Sequence, residues 1–254
     1  MPYQNESYMG SGDVFMQAYD DSGVLTGPKE QVGNADSYAI NAPAIEKAER
    51  KGKMRQNWGQ VIHSIIKSTE QSLSIVFTDF IRSVLAKIMM GTDTATSQTA
   101  GNDATPQDVI AVLGGWVDMG HMKLDPATPP VVQDETDTTT YVEDTDYEID
   151  YQGGWLHALE GGAITDAETL HVVNTWLAYT GWKVTANTKT QVNVKIEMLT
   201  ENKAGSALGK LTVHKVQLET SEDLAWLSEE YIDFGFGGNI ITVDAGSWEY
   251  EQFD

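Results

Sequence analysis

Three carboxylates at alternate positions, Asp146, Glu148 and Asp150, stand out in the run YVEDTDYEIDYQGGW (141–155) as residues whose spacing suits chemistry. In an extended strand alternate side chains point to opposite faces, so these three share one face while Tyr147, Ile149 and Tyr151 share the other. Such a row fits a cation site, an acid/base pair, or a surface that is simply negative. A calcium loop counted from Asp144 fails, because its sixth position is Ile149 instead of Gly and its twelfth is Trp155 instead of Glu. A glycoside-cleaving pair needs two carboxyls roughly 5–9 Å apart across a sugar, and Trp155, Trp176 and Trp182 are candidate stacking platforms. Any acidic strand offers that spacing, however. Neighbours two positions apart lie roughly 7 Å from each other and repel by only about 0.6 kcal/mol in water, so a solvated acidic face is favoured over the other two.

A second concentration of charge has the opposite sign. IEKAERKGKMR (45–55) gathers Lys47, Arg50, Lys51, Lys53 and Arg55 within an acidic chain. As a nucleic-acid patch it lacks aromatic interleaving until Trp58. It reads either as an exposed loop kept soluble by charge or as a docking loop that meets an acidic surface on another copy of the protein. The five histidines, His63, His121, His157, His171 and His214, form no H-x-H or H-E-x-x-H pair, and no zinc site is proposed. GFGGN (235–239) lacks the Lys-Ser/Thr of a phosphate loop and reads as a turn.

The elements that would hold these residues are mostly strands. DVFMQAYD (13–20) runs into a turn at Asp21, Ser22 and Gly23, and SLSIVFT (72–78) alternates Leu73, Ile75 and Phe77 with polar residues. Asp79 is placed to cap a helix whose Phe80, Ile81, Val84, Leu85 and Ile88 form one stripe, with Gly91 as its left-handed C-terminal cap. The polar run TDTATSQTAGNDATPQ (92–107) reads as a linker. VNVKIEMLT (192–200) puts Val192, Val194, Ile196 and Met198 on one face. In KLTVHKVQLE (210–219) the phase changes between Val213 and Val216, which predicts a bulge.

Composition sets outer bounds. With 254 residues the chain is long enough for one large or two small cores. A formal charge of −22 excludes nonspecific attraction to nucleic acid or anionic lipid. The absence of Cys removes thiol nucleophiles and thiolate zinc ligands. The opening MPYQNESYMGSG has neither a basic region nor an apolar core, so no signal peptide is expected, and DFIRSVLAKIMMG is too short and too charged to span a membrane. Residues 105–185 carry 14 carboxylates against only Lys123 and Lys183. They are expected to form a separate electrostatic unit between residues 1–104 and 186–254.

The order of these features resembles a known family. GDVFMQAYDDSGV, VGNADSYAI, the charged IEKAERKGKMRQ, the strand SLSIVFTDF and the helix ending LAKIMMG are similar to the first half of phage major tail tube proteins of long, non-contractile (siphovirus-type) tails. NVKIEMLTENKAGSALGKLTVHKVQLETSEDLAWLSEEYIDFGFGGNIITVD resembles their second half, a hairpin followed by a short segment and a last strand. DTDYEIDYQGGWLHALEGGAI is similar to a β-rich insertion found in many of them. The likeness covers nearly the whole chain and rests on order and pattern.

What the resemblance implies is a mainly β, tail-tube-type sandwich or barrel of two packed sheets with one flanking α-helix. Residues 1–104 and 186–254 would be the two halves of the core and 105–185 an inserted acidic β-rich subdomain. It implies a virion structural protein, with neither catalytic activity nor cofactor, that is made in the host cytoplasm. Its copies would form stacked hexameric rings, a tube that delivers DNA without binding it specifically. Tape measure, tail terminator and distal tail proteins would be its further partners, with no membrane. Segment 36–58 lies where the family carries its inter-ring loop or hairpin, so Lys47, Arg50, Lys51, Lys53 and Arg55 become the inter-ring contact. The row of Asp146, Glu148 and Asp150 falls in the insertion, outside the tube wall, as an exterior solvated face. The alternative is a β-sandwich carbohydrate-active enzyme or binding module using Asp146, Glu148 or Asp150 with Trp155, or another virion protein of the head surface or distal tail.

Overall fold

The computed structural model describes residues 10–79, 81–204, 207–220, 226–227 and 233–253. The chain divides into two compact units, residues 1–93 with 184–254, and residues 94–183. The first opens with β1 (Gly10–Tyr19), β2 (Leu25–Gln31), β3 (Ala35–Ile40), β4 (Ala44–Lys51), β5 (Val61–Glu70), β6 (Ser72–Phe77) and α1 (Arg82–Ile88). The middle of the chain supplies β7 (Thr92–Gln98), β8 (Gly101–Asn102), β9 (Gln107–Ile110), β10 (Trp116–Asp118), β11 (Val131–Asp134), β12 (Tyr147–Asp150), β13 (Trp155–Ala158), β14 (Thr169–Val173), β15 (Thr175–Trp176) and β16 (Tyr179–Thr185). Then β17 (Asn193–Asn202), β18 (Leu208–Thr220), β19 (Phe234–Ile240) and β20 (Trp248–Phe253) return to the first unit.

The protein is mainly β. In the first unit eight strands form one open sheet in the order β2-β1-β17-β18-β19-β6-β3, with β20 also on β18. Hydrogen bonding thus joins these strands into a single sheet that does not close into a barrel. Period-2 patterning explains the inward face. Val14 and Met16, Leu73, Ile75 and Phe77, Val194 and Ile196, and Phe234 and Phe236 are all buried in one cluster with Val84 and Ile88 of α1. The ring of Phe77 meets that of Phe236 edge-on at 5.5 Å, a favoured aromatic geometry.

β18 carries the predicted bulge. Ile196 pairs with Val213 and Val194 with Val216, so His214 and Lys215 together face the single residue Lys195. The extra residue restores the phase, and both Val213 and Val216 are fully buried. Beyond it the strand changes partner, from β20 along Leu208–Val213 to β19 along Val216–Thr220.

Three local expectations are corrected. GFGGN is not a turn: it lies within β19, between β18 and β6. A Cβ at Gly237 would sit 2.3 Å from the Leu73 carbonyl oxygen, so glycine is what lets the strands approach. Asp79 does not cap α1. Ile81 is the N-cap residue, without a side-chain cap bond, while Asp79 Oδ1 accepts from the Asn34 backbone N–H. Phe80 lies outside the described residues. At the other end the left-handed residue is Met90 (φ 48°), and Gly91 serves close approach, since a Cβ there would fall 2.2 Å from the Thr185 carbonyl oxygen.

The second unit has its own core, with Met119, Leu124, Val132, Leu156, Leu170 and Val172 among its buried members. Its three-stranded sheets run β11-β14-β9 and β10-β13-β12. Within the segment expected as a linker, residues 92–98 pair with β16, and Gly101–Asn102 pair with β15. The units therefore divide at 93/94 and 183/184, where the sequence pointed to 104/105 and 185/186.

On the face of the large sheet away from the core, Glu197 receives salt bridges from Lys29, Lys195 (3.1 Å) and Lys210 (3.1 Å). Burial alone would raise this carboxyl, but the three ammonium groups override it and hold the pKa at about 2. A depressed folded-state value stabilises above the unfolded pKa and is lost as pH falls through the folded one. Glu197→Gln should thus cost roughly 2–4 kcal/mol at neutral pH. Urea denaturation of the two proteins should show that difference shrinking as pH drops from about 4.5 toward 2.

Candidate functional site

The hairpin of β4 and β5, in the first unit, is exposed along nearly its whole length. Among the described residues its strands pair only with each other, and two register shifts, at Glu46/Lys47 and Arg50/Lys51, divide it. Residues opposite one another share a face, so Ile45, Lys47 and Lys51 stand with Ile66 and Val61. Ala48 and Arg50 stand on the other face with Ile65 and His63. Both faces are open: Ile45, Val61, Ile65 and Ile66 are 48–60% exposed. At the tip Met54 and Trp58 are exposed as well, around a turn closed by Gly52 N–H to the Gln60 carbonyl and Met54 N–H to Asn57 Oδ1.

The basic cluster thus lies along a strand and its turn instead of an irregular loop. Lys47, Arg50, Lys51, Lys53 and Arg55 are all exposed, and none has an ion-pair partner among the described residues. The hairpin's ion pair is Lys67 with Glu46, at 3.0 Å. Isoleucines on both faces of a ribbon with free edges leave apolar area and main-chain groups that a partner surface would cover.

The acidic row is not one row. β12 begins at Tyr147, and Asp146, just before it, is only 8% exposed. Its Oδ2 accepts from the Val142 backbone N–H and its Oδ1 from the Ala163 backbone N–H, both at 2.8 Å. Asp146 is a buried clamp between two loops, which corrects the expectation of a third solvated carboxylate. Glu148 and Asp150 do share the outward face of β12. Across the sheet Glu148 is in register with His157 and Trp116, and Asp150 with Trp155 and Asp118. Trp116 and Trp155 are about half exposed, 52% and 46%. Trp116 and Asp118 were not marked by sequence reasoning, and His157 was weighed only as a zinc ligand, because register across three separate strands is what assembles them.

Of the other predicted stacking residues, Trp176 lies against His121 with centroids 3.5 Å apart and donates its Nε1–H to the Thr99 carbonyl. Trp182 is exposed on β16. His171 holds Asp137 at 2.7 Å with Asp108 3.4 Å away, and these carboxylates raise its pKa. Burial pushes the Tyr147 phenol up to about 12, and Glu143 and Asp146 add to the effect. Among the described residues no group of three His, Asp or Glu could hold a metal ion. No helix among them is long and apolar enough to cross a membrane.

The first unit also has a cleft of about 730 Å³ between β3, β20 and the start of β1, with Tyr38, Met198, Trp248 and Tyr250 on its walls. The Tyr38 hydroxyl has no partner among the described residues, and burial pushes its pKa up.

Fold and surfaces define a mainly β protein of two units. The chain belongs to the family described as Protein of unknown function UCP028589, whose sequence model matches residues 7–246. No curated protein matches it.

The buried position of Asp146 separates it from its neighbours in a mutational test. Asp146→Ala leaves two backbone N–H groups without their charged acceptor and should cost about 2–4 kcal/mol. Glu148→Gln, on the outward face, should stay within about 0.5 kcal/mol of the parent. Thermal and urea melts of the two variants measure both.

Proposed function

We propose that this chain is a virion structural protein whose copies assemble into stacked hexameric rings, forming the tail tube of a long non-contractile phage tail through which DNA is delivered. The observation that carries the reading is the β4–β5 ribbon, apolar on both faces, free at both edges and bearing five cations without ion-pair partners among the described residues. An isolated two-stranded hairpin is marginal in water, so a partner that buries it would stabilise it directly. A chain with net charge −22 offers acidic surface on every copy. Repeated contact between the basic ribbon of one copy and an acidic face of the next is therefore favoured, and a repeated head-to-tail contact closes rings or extends filaments.

The same proposal extends to the finer fold: the large sheet with its core packed by one flanking helix is read as the tail-tube-type core. The acidic balance also suits a conduit that must not hold its cargo, because a negative wall gains nothing from counterion release by DNA. The role calls for neither reaction nor cofactor. Tape measure, tail terminator and distal tail proteins are its proposed further partners.

The decisive experiment is electron microscopy with sedimentation of the purified full chain. Rings or tubes are expected in the parent. Ile65→Asp and Ile66→Asp, one on each face of the ribbon, should block assembly while leaving the monomer's melting point within a few degrees. Replacing Lys47, Arg50, Lys51, Lys53 and Arg55 together by Gln should slow tube elongation. It should also flatten the salt dependence of elongation, since screening acts over about 8 Å at physiological ionic strength. A parent that stays monomeric at every concentration, with tail-tip proteins added, would overturn the proposal.

A further inference from the structure

The outward face of the β10-β13-β12 sheet has no part in the assembly just proposed. Register places Asp118, Trp155 and Asp150 in one row across three strands, with Trp116, His157 and Glu148 in the adjoining row. Neighbouring strands are about 4.8 Å apart, so a carboxylate-bearing strand flanks the Trp155 indole on each side. Trp116, Val117, Asp118, Asp150 and Trp155 line a shallow recess of about 410 Å³. Two large aromatic side chains left half open to water on a well-packed sheet forgo the stabilisation that burial would give them.

Each component is held in place. Trp116 stacks on the His157 ring with centroids 4.8 Å apart and planes 21° apart, which fixes its orientation while the side chain stays half exposed. Asp118 Oδ1 accepts from the Gly120 backbone N–H at 2.7 Å. Asp150 Oδ1 accepts from the Gln152 and Gly153 backbone N–H groups at 2.9 and 3.1 Å. These bonds anchor one oxygen of each carboxylate, and the second oxygen of each has no hydrogen-bond partner among the described residues. A Cβ at Gly153 would fall 2.9 Å from both Asp150 Oδ2 and Trp155 Cδ2. Glycine there keeps both the free oxygen and the indole uncovered.

The occupant that fits offers a flat C–H surface to an indole and hydroxyl donors to acceptors beside it, and carries no negative charge. A phosphorylated or acidic ligand would be repelled, since this stretch of chain has 14 carboxylates against two basic residues. A bare cation would make no use of the indoles. An organic cation is best held by rings that enclose it, whereas these two rings lie side by side on one sheet face. We propose that this face binds a neutral pyranose of an oligosaccharide, stacked on Trp155 and extended toward Trp116, with hydroxyls donating to Asp118 and Asp150.

The site and the tube reading fail separately, because Trp155→Ala leaves the β4–β5 ribbon intact. Saturation-transfer NMR on the full chain, irradiating indole protons, tests it with cellotetraose, maltotetraose, laminaritetraose and chitotetraose at millimolar concentration, with tetramethylammonium as a control. Transfer to the ring C–H protons of at least one sugar is expected. Its affinity should fall by about tenfold or more in Trp155→Ala and by several-fold in the isosteric double variant Asp118→Asn/Asp150→Asn, which preserves the fold should Trp155→Ala not. No transfer to any of the four sugars, unchanged affinity in the folded variants, or transfer to tetramethylammonium alone would each overturn the proposal.

Discussion

The pairing of β17 with β18 is the interaction on which the first unit depends. β17 joins β1 and β2 on one side, and β18 joins β19, β6 and β3 on the other. A one-residue error in this register would turn every side chain beyond it to the wrong face. The bulge at His214 and Lys215 prevents that error by absorbing an extra residue while Val213 and Val216 both stay inside. The outward face shows the same dependence. Glu197 is opposite Phe15 on β1 and Thr212 on β18, and it draws in Lys29 from β2 and Lys210 from β18. The complete charged cluster therefore depends on the pairing of β17 with its neighbours.

What the sequence made legible follows from how each element is stabilised. β1, β6 and β17 bury one face, so alternation marked them, and the broken alternation of β18 marked its bulge. β7, β8, β15 and β16 sit in two-stranded ribbons. With little burial to leave a pattern, the run 92–107 that holds β7 and β8 reads as linker, and strand propensity follows packing context more than intrinsic preference. β19 misled for the opposite reason. Its glycines signal a turn when read alone, but here they admit two neighbouring backbones.

The sites divide along the same line. The five cations were visible because charge stands out in an acidic chain. That they flank exposed isoleucines was not, since VIHSII (61–66) has no clean period and its adjacent Ile65 and Ile66 fall on opposite faces of the ribbon. Spacing alone put Asp146 beside Glu148 and Asp150, and the structure separates it because backbone N–H groups of Val142 and Ala163 need an acceptor. Trp116 and Asp118 lie about 30 or more residues before Glu148 and Asp150, so a search for local spacing cannot join them; β13 does, by lying between.

In the proposed assembly, charge and apolar surface have different tasks on the β4–β5 ribbon. Copies with net charge −22 repel one another, and a basic ribbon lowers that barrier on one surface only, selecting the orientation of encounter. Surface ion pairs contribute about 0–1 kcal/mol each, too little to hold a long assembly by themselves. Burial of isoleucines is worth roughly 1.5–3 kcal/mol per side chain, and it also orders a hairpin that has little to stabilise it alone. Docking and ordering of the ribbon would then be one step, with a conformational-entropy cost at each first contact. In the proposed tube that cost would be highest for the first pair of rings, where no neighbour has yet aligned the ribbons, so assembly coupled in this way would start slowly and extend fast.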